Sequence, residues 1–563
     1  MSELLASSAD DVAVTGLTSS GPGRLVSGPF VVSRPYLNFR IHGGDFEYKT
    51  CLNVVVDGRI VRIETGRGTE QPHAASLDLT EWLGQQAYVE IVDDAGDLGS
   101  VSVSDIVLSS APAVTGPELA PLYREALRPQ FHFTARQWAM RRLNPAEREE
   151  GWLNDLNGLV FHDGEYHLFA QRWNKCWIHA VSNDLVRWTE LEPAFFEESL
   201  ETGVQSGSCV VDVDNTSGLG EPGGTAPMVA FWSRNDNRSQ CVSYSLDRGR
   251  TWTHYAGNPI MDLPERDPMV FRDHRRSQWV MVLYGDERYQ LLRSDDLLDW
   301  ESLGSSISDS FECPDFFELT IDGTDSTDGT DESRWVLVRG DGRYSIGSFD
   351  GQNFVEETSQ LQVDGGPHFY ATQSWAAGTG IAPRRVQVAW MRGGRYPNMP
   401  FNQQVSIPCD LTLHRTADGL RMYRKPVPEL DSLERNRHSW PARTLSPSSP
   451  WRIGTAWPLL RITCDVSIPA DGELTLDICG TRVTATSGDI AVLEGKQPTI
   501  TTVRKLDIIV DTTSVEVFAN DGEAALTACV RPGRFELTLT AAGAECTVDH
   551  LDVIELESSW PQA

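Results

Sequence analysis

Four segments of the chain share one plan, and their spacing limits the fold more than any other feature. They are residues 182–188 (Ser-Asn-Asp-Leu-Val-Arg-Trp), 245–252 (Ser-Leu-Asp-Arg-Gly-Arg-Thr-Trp), 294–300 (Ser-Asp-Asp-Leu-Leu-Asp-Trp) and 348–354 (Ser-Phe-Asp-Gly-Gln-Asn-Phe). Each follows a strand-like run and sets a serine, then an acid in a turn, then an aromatic residue that opens the next run. The serines lie 63, 49 and 54 residues apart. A period near fifty filled with short strands is that of four-stranded blades, so the fold expected is all-β with a β-propeller at its centre. A fifth unit is expected from Tyr370 through Trp390, although it lacks the turn signature. The five blades are assigned to residues 131–436.

At 563 residues the chain is too long for one core, and its flanks read as further domains. Residues 1–25, rich in Ser, Ala, Gly and Asp, are expected to form a loose tail. Asp57-Gly58 between the apolar runs 51–56 and 59–64 signals a hairpin with a type I′ turn. Further strands are expected at 87–92 and 101–108, giving an N-terminal β-sandwich over residues 26–110 whose role the sequence does not disclose. Four prolines in 111–130 suggest a linker with one short helical piece, and the strongly charged 136–150 reads as a partly helical insert. The polar, Pro-rich 437–450 reads as another boundary. Strands at 506–510, 515–518, 525–530 and 535–539, with a turn at Asp521-Gly522, then give a second β-sandwich over 446–563.

The net charge of −32 argues against nucleic acid and against anionic membranes as partners. No apolar run approaches the roughly eighteen residues of a transmembrane helix. The first residues have neither a basic nor an apolar signal region, so a cytoplasmic location is expected unless a signal has been removed. Only five of the 48 basic residues are lysine. An acidic, lysine-poor surface suits concentrated salt, where the screening length is about 3 Å at 1 M; a GC-rich coding sequence produces the same bias, and both readings stand. The ten cysteines include no C-x-x-C pair, so buried thiols are expected rather than a zinc site or a disulfide framework. The oligomeric state is not readable.

The repeat turns scattered acids into a constellation. Asp155 and Asp267 each lie 27 residues before the turn serine of their unit; Glu312 lies 36 before Ser348, with the Gly/Asp-rich 322–331 accounting for the excess. If that station is the innermost strand, all three acids face a common axis. Asp155 stands between Asn154 and Leu156-Asn157, and asparagine amides that donate to it would keep its pKa low, as suits a nucleophile; an Asx-rich turn before a strand is the structural alternative. Arg266 beside Asp267 would hold that acid ionised and offer donors to hydroxyl groups. Glu312, between Phe311 and Cys313-Pro314, would have its pKa raised by desolvation toward a general acid's range. Two carboxyls shifted in opposite directions are the minimum for glycoside hydrolysis. Trp152, Trp173 and Trp177 offer a platform for a sugar face, or simply propeller core.

Three boxes in this order resemble glycoside hydrolase family 32, the invertase, levanase and inulinase group: 152–158 (Trp-Leu-Asn-Asp-Leu-Asn-Gly), 266–268 (Arg-Asp-Pro) and 312–314 (Glu-Cys-Pro). The similarity runs from about residue 131 to the C-terminus. It implies a five-bladed propeller with a C-terminal β-sandwich, and a retaining hydrolase releasing β-D-fructofuranosyl units through a covalent intermediate. By this resemblance Asp155 is the nucleophile, Glu312 the acid/base and Asp267 the transition-state stabiliser, with the carboxyls roughly 5–5.5 Å apart. Asn154, Gln171, Trp177, Ser206 and Arg266 would meet the fructosyl unit. The implied partner is a fructose-containing oligo- or polysaccharide such as levan, inulin or sucrose; no metal or cofactor is implied. Leu156 stands where the family has proline, and Arg172-Trp173, Gln205 and His368 also depart from its pattern, all at the pocket rim rather than among the acids. The alternatives are a fructosyltransferase of the same family, a non-catalytic sugar-binding propeller, and a five-bladed pentosidase acting on arabinofuranosides.

Overall fold

The computed structural model describes residues 11–21, 23–44, 49–94, 100–114, 123–136, 151–173, 175–196, 202–234, 238–322, 332–378, 383–397, 399–447, 449–454, 457–531 and 536–560. The charged insert lies, past Arg136, outside the described residues, and so does the Gly/Asp-rich loop past Asp322. The chain divides into two compact units: 1–122 with 136–151 and 199–201, and 123–135 with 152–198 and 202–563.

The first unit is a β-sandwich. One sheet has the order Val12–Ala13, Val101–Ser109, Tyr36–Gly43, Thr69–Asp78; the other runs Thr18–Gly21, Arg24–Val26, Gln86–Asp93, Thr50–Val56, Arg59–Thr65, with Phe30–Val31 also on Gln86–Asp93. Leu37, Phe39 and Ile41 of the first sheet and Leu52, Val54 and Val89 of the second share one core. Asp57 and Gly58 both have positive φ (49° and 75°), the expected I′ turn. The loose tail expected over 1–25 is corrected from Val12 on. Val12 pairs with Leu108, and Arg24 with Val92, so backbone hydrogen bonds to strands already in place hold a segment with little apolar content of its own.

In the second unit five antiparallel sheets follow one another, each of four strands in sequence order, the first and fourth with one further short strand. Their first strands are Leu156–His162, Gly207–Val211, Arg266–Asp273, Asp315–Thr320 and Tyr370–Ala377. Leu156–His162 lies against both Gly207–Val211 and Tyr370–Ala377. Gly207–Val211 lies against Arg266–Asp273, and Asp315–Thr320 against Tyr370–Ala377. Phe271 of the third inner strand packs on Phe316 of the fourth, so each sheet has two neighbours and the ring closes, as a propeller requires.

The repeated turn has a chemical cause. Asp184 Oδ1 accepts from the backbone N–H groups of Val186 and Arg187 (3.0 and 2.7 Å) and from Ser182 Oγ (3.1 Å), and Trp188 Nε1 donates to Leu185 O (3.0 Å). Asp247 with Trp252 and Asp296 with Trp300 repeat the arrangement. In the fourth blade Asp350 caps the N–H groups of Gln352 and Asn353 in the same way. An acid that ties up turn N–H groups, joined in the first three blades by an indole that closes the turn, makes these tips specific.

Irregularities recur at the starts of the inner strands. The register shifts between Asn157 and Val160, between Arg266 and Met269, and between Tyr370 and Gln373, with positive φ at Gly158 (57°), Asp267 (59°) and Ala371 (46°). These are bulges, which re-aim side chains at a strand's end. At Gly158 an added Cβ would come within 2.8 Å of Cys209 Cβ and 3.1 Å of Trp177 Cζ3. Gly158→Ala is expected to cost about 1–3 kcal/mol, because the left-handed backbone and the close approach act together. A urea melt checks this; an unchanged midpoint contradicts it.

The C-terminal β-sandwich stacks two six-stranded sheets. The boundary expected at 437–450 is corrected, because Glu434–Leu445 is a twelve-residue strand paired with Cys546–Leu556. It is an edge strand and mostly exposed, which explains its polar composition. Pro441, without an N–H to donate, is tolerated at an edge. The helical piece expected in 111–130 is absent from its described residues, which form bends and turns. Arg128 there is fully buried, bonded to Glu125, Thr134 Oγ1 (2.8 Å) and Ala135 O (2.9 Å) and stacked on Phe401.

Propeller and C-terminal sandwich share a core: Leu156, Trp375 and Val405 cluster with Ile509, Phe518 and Ile554. Beside it runs a buried charge network. His132 Nδ1 meets Asp511 Oδ2 at 2.7 Å and its Nε2 meets Glu516 Oε2 at 2.9 Å. Arg424 reaches Asp364 (3.2 Å) and Glu516 (3.7 Å). Burial alone would lower the His132 pKa, but the two carboxylates outweigh it and push it up to about 9.

Candidate active site

The inner-strand starts gather the three acids. Asp155 directly precedes Leu156–His162, Asp267 is the second residue of Arg266–Asp273, and Glu312 lies three residues before Asp315–Thr320. Asp155 is braced to the next strand, since Gln171 N donates to Asp155 O (2.8 Å) and Asn154 N to Gln171 O (2.8 Å). Asp155 Oδ2 accepts from Ser206 Oγ at 3.1 Å, and the same hydroxyl lies 2.9 Å from Gln171 Oε1. Ser206 itself stands immediately before the first strand of the second blade.

Across the axis, Asp267 Oδ2 accepts from Cys313 N at 3.0 Å. Glu312 accepts from Arg266 Nη2 on Oε1 and from the Tyr370 hydroxyl on Oε2. Tyr289 OH supports the turn from behind, donating to Glu312 O (2.7 Å). Glu312 and Cys313 have φ of 39° and 24°, so this turn is held away from relaxed backbone by its hydrogen bonds.

Three electrostatic expectations are corrected. The asparagines flanking Asp155 do not donate to it: Asn154 Oδ1 accepts from Trp152 Nε1 (2.9 Å) and Trp173 N (3.1 Å), and Asn157 Oδ1 from Gly207 N (3.1 Å). Desolvation, then the charge of Asp267, push the Asp155 pKa up to about 7; Ser206 and Arg266 act in the other direction, and Glu312 adds to the rise. The apolar setting expected for Glu312 is instead a pair of donors, and Phe311 points outward, 38% exposed. Arg266 serves Glu312 rather than Asp267, from which its Nε is 3.9 Å. The Asp267 pKa is raised, by burial above all, against the pull of Arg266 and of Cys313 N–H.

Asn154, Gln171, Ser206 and Arg266 thus stand with the acids, while Trp177 does not reach the open site. Trp177 is 0% exposed, packs against Phe169 and Phe195, and donates from Nε1 to Gln205 O (3.1 Å), so it is core. Trp152 and Trp173 stack on each other, centroids 4.0 Å apart, and both remain partly exposed. One functional group went unread in the sequence: Tyr370, the first residue of the fifth inner strand, which matches Arg266 by the register shift that follows each. Extending the repeat to the start of the fifth inner strand was the signal that would have found it. Among the described residues no cluster of His, Cys, Asp and Glu suits a metal ion.

A carboxylate bonded to a hydroxyl, a second bonded to a guanidinium and a phenol, and a third buried between them form a site for breaking a bond by displacement and proton transfer. Comparison with known proteins agrees. The profile of the glycosyl hydrolases family 32 N-terminal domain matches residues 146–426 and that of the family 32 C-terminal domain matches 477–555. The chain belongs to glycosyl hydrolases family 32. It is 33% identical to a levanase of Bacillus subtilis (strain 168), over 78% of this chain and 72% of the relative. It is 28% identical to the extracellular exo-inulinase inuE of Aspergillus niger, over 80% and 98%. The crystal structure of exo-inulinase from Aspergillus awamori superposes with a TM-score of 0.66 at 26% identity, over 78% of this chain and all of that one. The family resemblance read from the three boxes and the propeller-plus-sandwich fold it implied are both borne out.

Proposed function

We propose that this chain is a retaining β-fructofuranosidase that releases fructosyl units from fructans or sucrose. The observation that carries the reading is the convergence of Asp155, Asp267 and Glu312 from the starts of three separate inner strands, with both oxygens of Glu312 held by donors. The levanase and exo-inulinase relatives support fructans as the substrate class. In the first step Asp155 bonds to the anomeric C2 while the bond from C2 to the leaving oxygen breaks, and the Glu312 proton passes to that oxygen. In the second step Glu312 takes a proton from water, the water oxygen bonds to C2, and the Asp155 carboxylate is released. Asp267 accepts from sugar hydroxyls as charge develops on the ring. Ser206 and Gln171 fix the rotamer of Asp155, and Tyr370 and Arg266 fix that of Glu312.

The test is a panel of sucrose, inulin, levan and an aryl arabinofuranoside, with products resolved over time. Fructose released from the first three is the expected result; turnover of the arabinofuranoside alone overturns the reading in favour of a pentosidase. The pH profile is a second check. Asp155 attacks only as the carboxylate, and burial together with the charge of Asp267 pushes its pKa up to about 7. The kcat/KM is therefore expected to fall as pH drops through about 7, because protonation removes the nucleophile. Initial rates across this range decide it; a rate unchanged about two pH units below neutrality contradicts the assignment.

A further inference from the structure

We infer that Arg392, seated on Tyr370 and Trp390, is a specificity-determining residue that binds the sugar unit attached to the departing oxygen. The inference rests on the β-fructofuranosidase reading and deepens it by naming the group that recognises the leaving sugar. The Arg392 guanidinium carbon lies 4.7 Å from the centroid of the Tyr370 ring and 5.7 Å from that of Trp390. The two rings meet edge to face, 5.9 Å apart at 74°, and Phe311 approaches Tyr370 from the side at 6.4 Å and 81°. Trp390 is pinned in turn: its Nε1 donates to Gln403 Oε1 (2.9 Å), and Gln403 Nε2 donates to Gly394 O (3.2 Å).

Two observations give this cluster a direction. The Tyr370 hydroxyl that carries Arg392 on its ring also donates to Glu312. The leaving oxygen takes its proton from Glu312, so groups packed on that side flank whatever leaves. In a chain with 80 acidic and 48 basic residues, most arginines of the second unit engage carboxylates. The exposed Arg392 has only its two aromatic contacts among the described residues, with neither an ion pair nor a side-chain hydrogen bond. A guanidinium fixed by ring faces keeps its planar fork of N–H donors oriented, and so loses little entropy when it binds.

The chemistry of the occupant follows from the surroundings. An anionic group would meet Asp155, Asp267 and Glu312 and a net charge of −32. A neutral, hydroxyl-rich sugar avoids that repulsion. It offers adjacent hydroxyl oxygens to the fork and a C–H face to Phe311 and Trp390.

The experiment compares a substrate with a sugar leaving group against one without. The wild-type chain, Arg392→Ala and Arg392→Lys are assayed on sucrose, on 1-kestose and on methyl β-D-fructofuranoside, whose departing methanol needs the Glu312 proton but makes no such contacts. Arg392 is exposed, and equal thermal melts for the three proteins confirm that folding is not at issue. For Arg392→Ala the ratio of kcat/KM on 1-kestose to that on the methyl fructoside is expected to fall about tenfold or more. Arg392→Lys should recover only part of the loss, because the ammonium lacks the fork. An equal fall on all substrates overturns the inference, since it would mean that Arg392 acts through Tyr370 on Glu312. Unchanged kinetics on all three overturn it as well. A wild-type protein inactive on every fructoside overturns the functional reading itself, an outcome distinct from both.

Discussion

Asp155→Asn is expected to lower kcat on sucrose or inulin by on the order of 10⁴-fold or more, with the thermal transition left in place. The amide keeps the shape and can still accept from Ser206 Oγ, but it cannot form the bond to C2. Its burial argues for a native-like melt: the side chain sheds a charge that desolvation and Asp267 already disfavour, so stability should hold or rise. Glu312→Gln removes the proton that the leaving oxygen needs, and about a 10²- to 10⁴-fold loss follows for a sugar leaving group. On β-D-fructofuranosyl fluoride the loss should be much smaller, because fluoride departs without that proton. Steady-state rates on both substrates separate the two roles. Either variant retaining a rate near wild type on sucrose contradicts the assignment.

The second large effect concerns stability rather than chemistry. His132→Ala is expected to cost about 3–5 kcal/mol, or to prevent folding, because it leaves Asp511 and Glu516 fully buried with their shared cation gone. Lys425→Ala is the contrast. Its partner Asp521 is about half exposed, and loss of such a surface pair should cost less than about 1 kcal/mol. The same network sets a pH limit. The folded pKa of His132, about 9, lies above its unfolded value of 6.5, so the stabilisation is complete below about 6.5 and is lost as pH rises through about 9. Denaturant melts at several pH values should show the wild-type midpoint dropping over that interval, and that of a soluble His132 variant changing less. Parallel curves for the two proteins contradict the role given to His132.

The propeller was legible because its turns are chemical devices rather than mere polar gaps. A serine, an acid that ties up the turn's N–H groups and an indole that closes it can be recognised in any sequence that uses them. Asp155 and Asp267 were legible for the same reason, since equal distances from those turns bring both to the start of an inner strand, although the bulges align Asp267 with Gly158 rather than with Asp155. The environments of the acids were not legible. Asn154 and Asn157 looked like donors to Asp155, yet they spend their side-chain oxygens on Trp152, Trp173 and Gly207, contacts set by bulges that residue identities do not announce. Trp177 looked like a sugar platform, but the outward or inward face of a strand residue depends on register, which residue identities alone do not give. Residues 437–450 looked like a boundary because the edge strand Glu434–Leu445, which takes up most of them, buries little and is free to be polar. The role of His132 was not legible, since its partners lie 379 and 384 residues away.

Catalysis turns on a bond between Asp155 and a fructosyl carbon, and that bond is observable. Glu312→Gln incubated with β-D-fructofuranosyl fluoride should form the intermediate, for which the acid is dispensable, and resolve it slowly, because the base that activates water is missing. Intact-mass analysis after a rapid acid quench, followed by peptide mapping, is predicted to show one added anhydrofructosyl unit on the peptide that contains Asp155. The same adduct should be absent when Asp155→Asn is combined with Glu312→Gln. An adduct on a different carboxylate, or fluoride released at the wild-type rate by that double variant, would contradict the central claim.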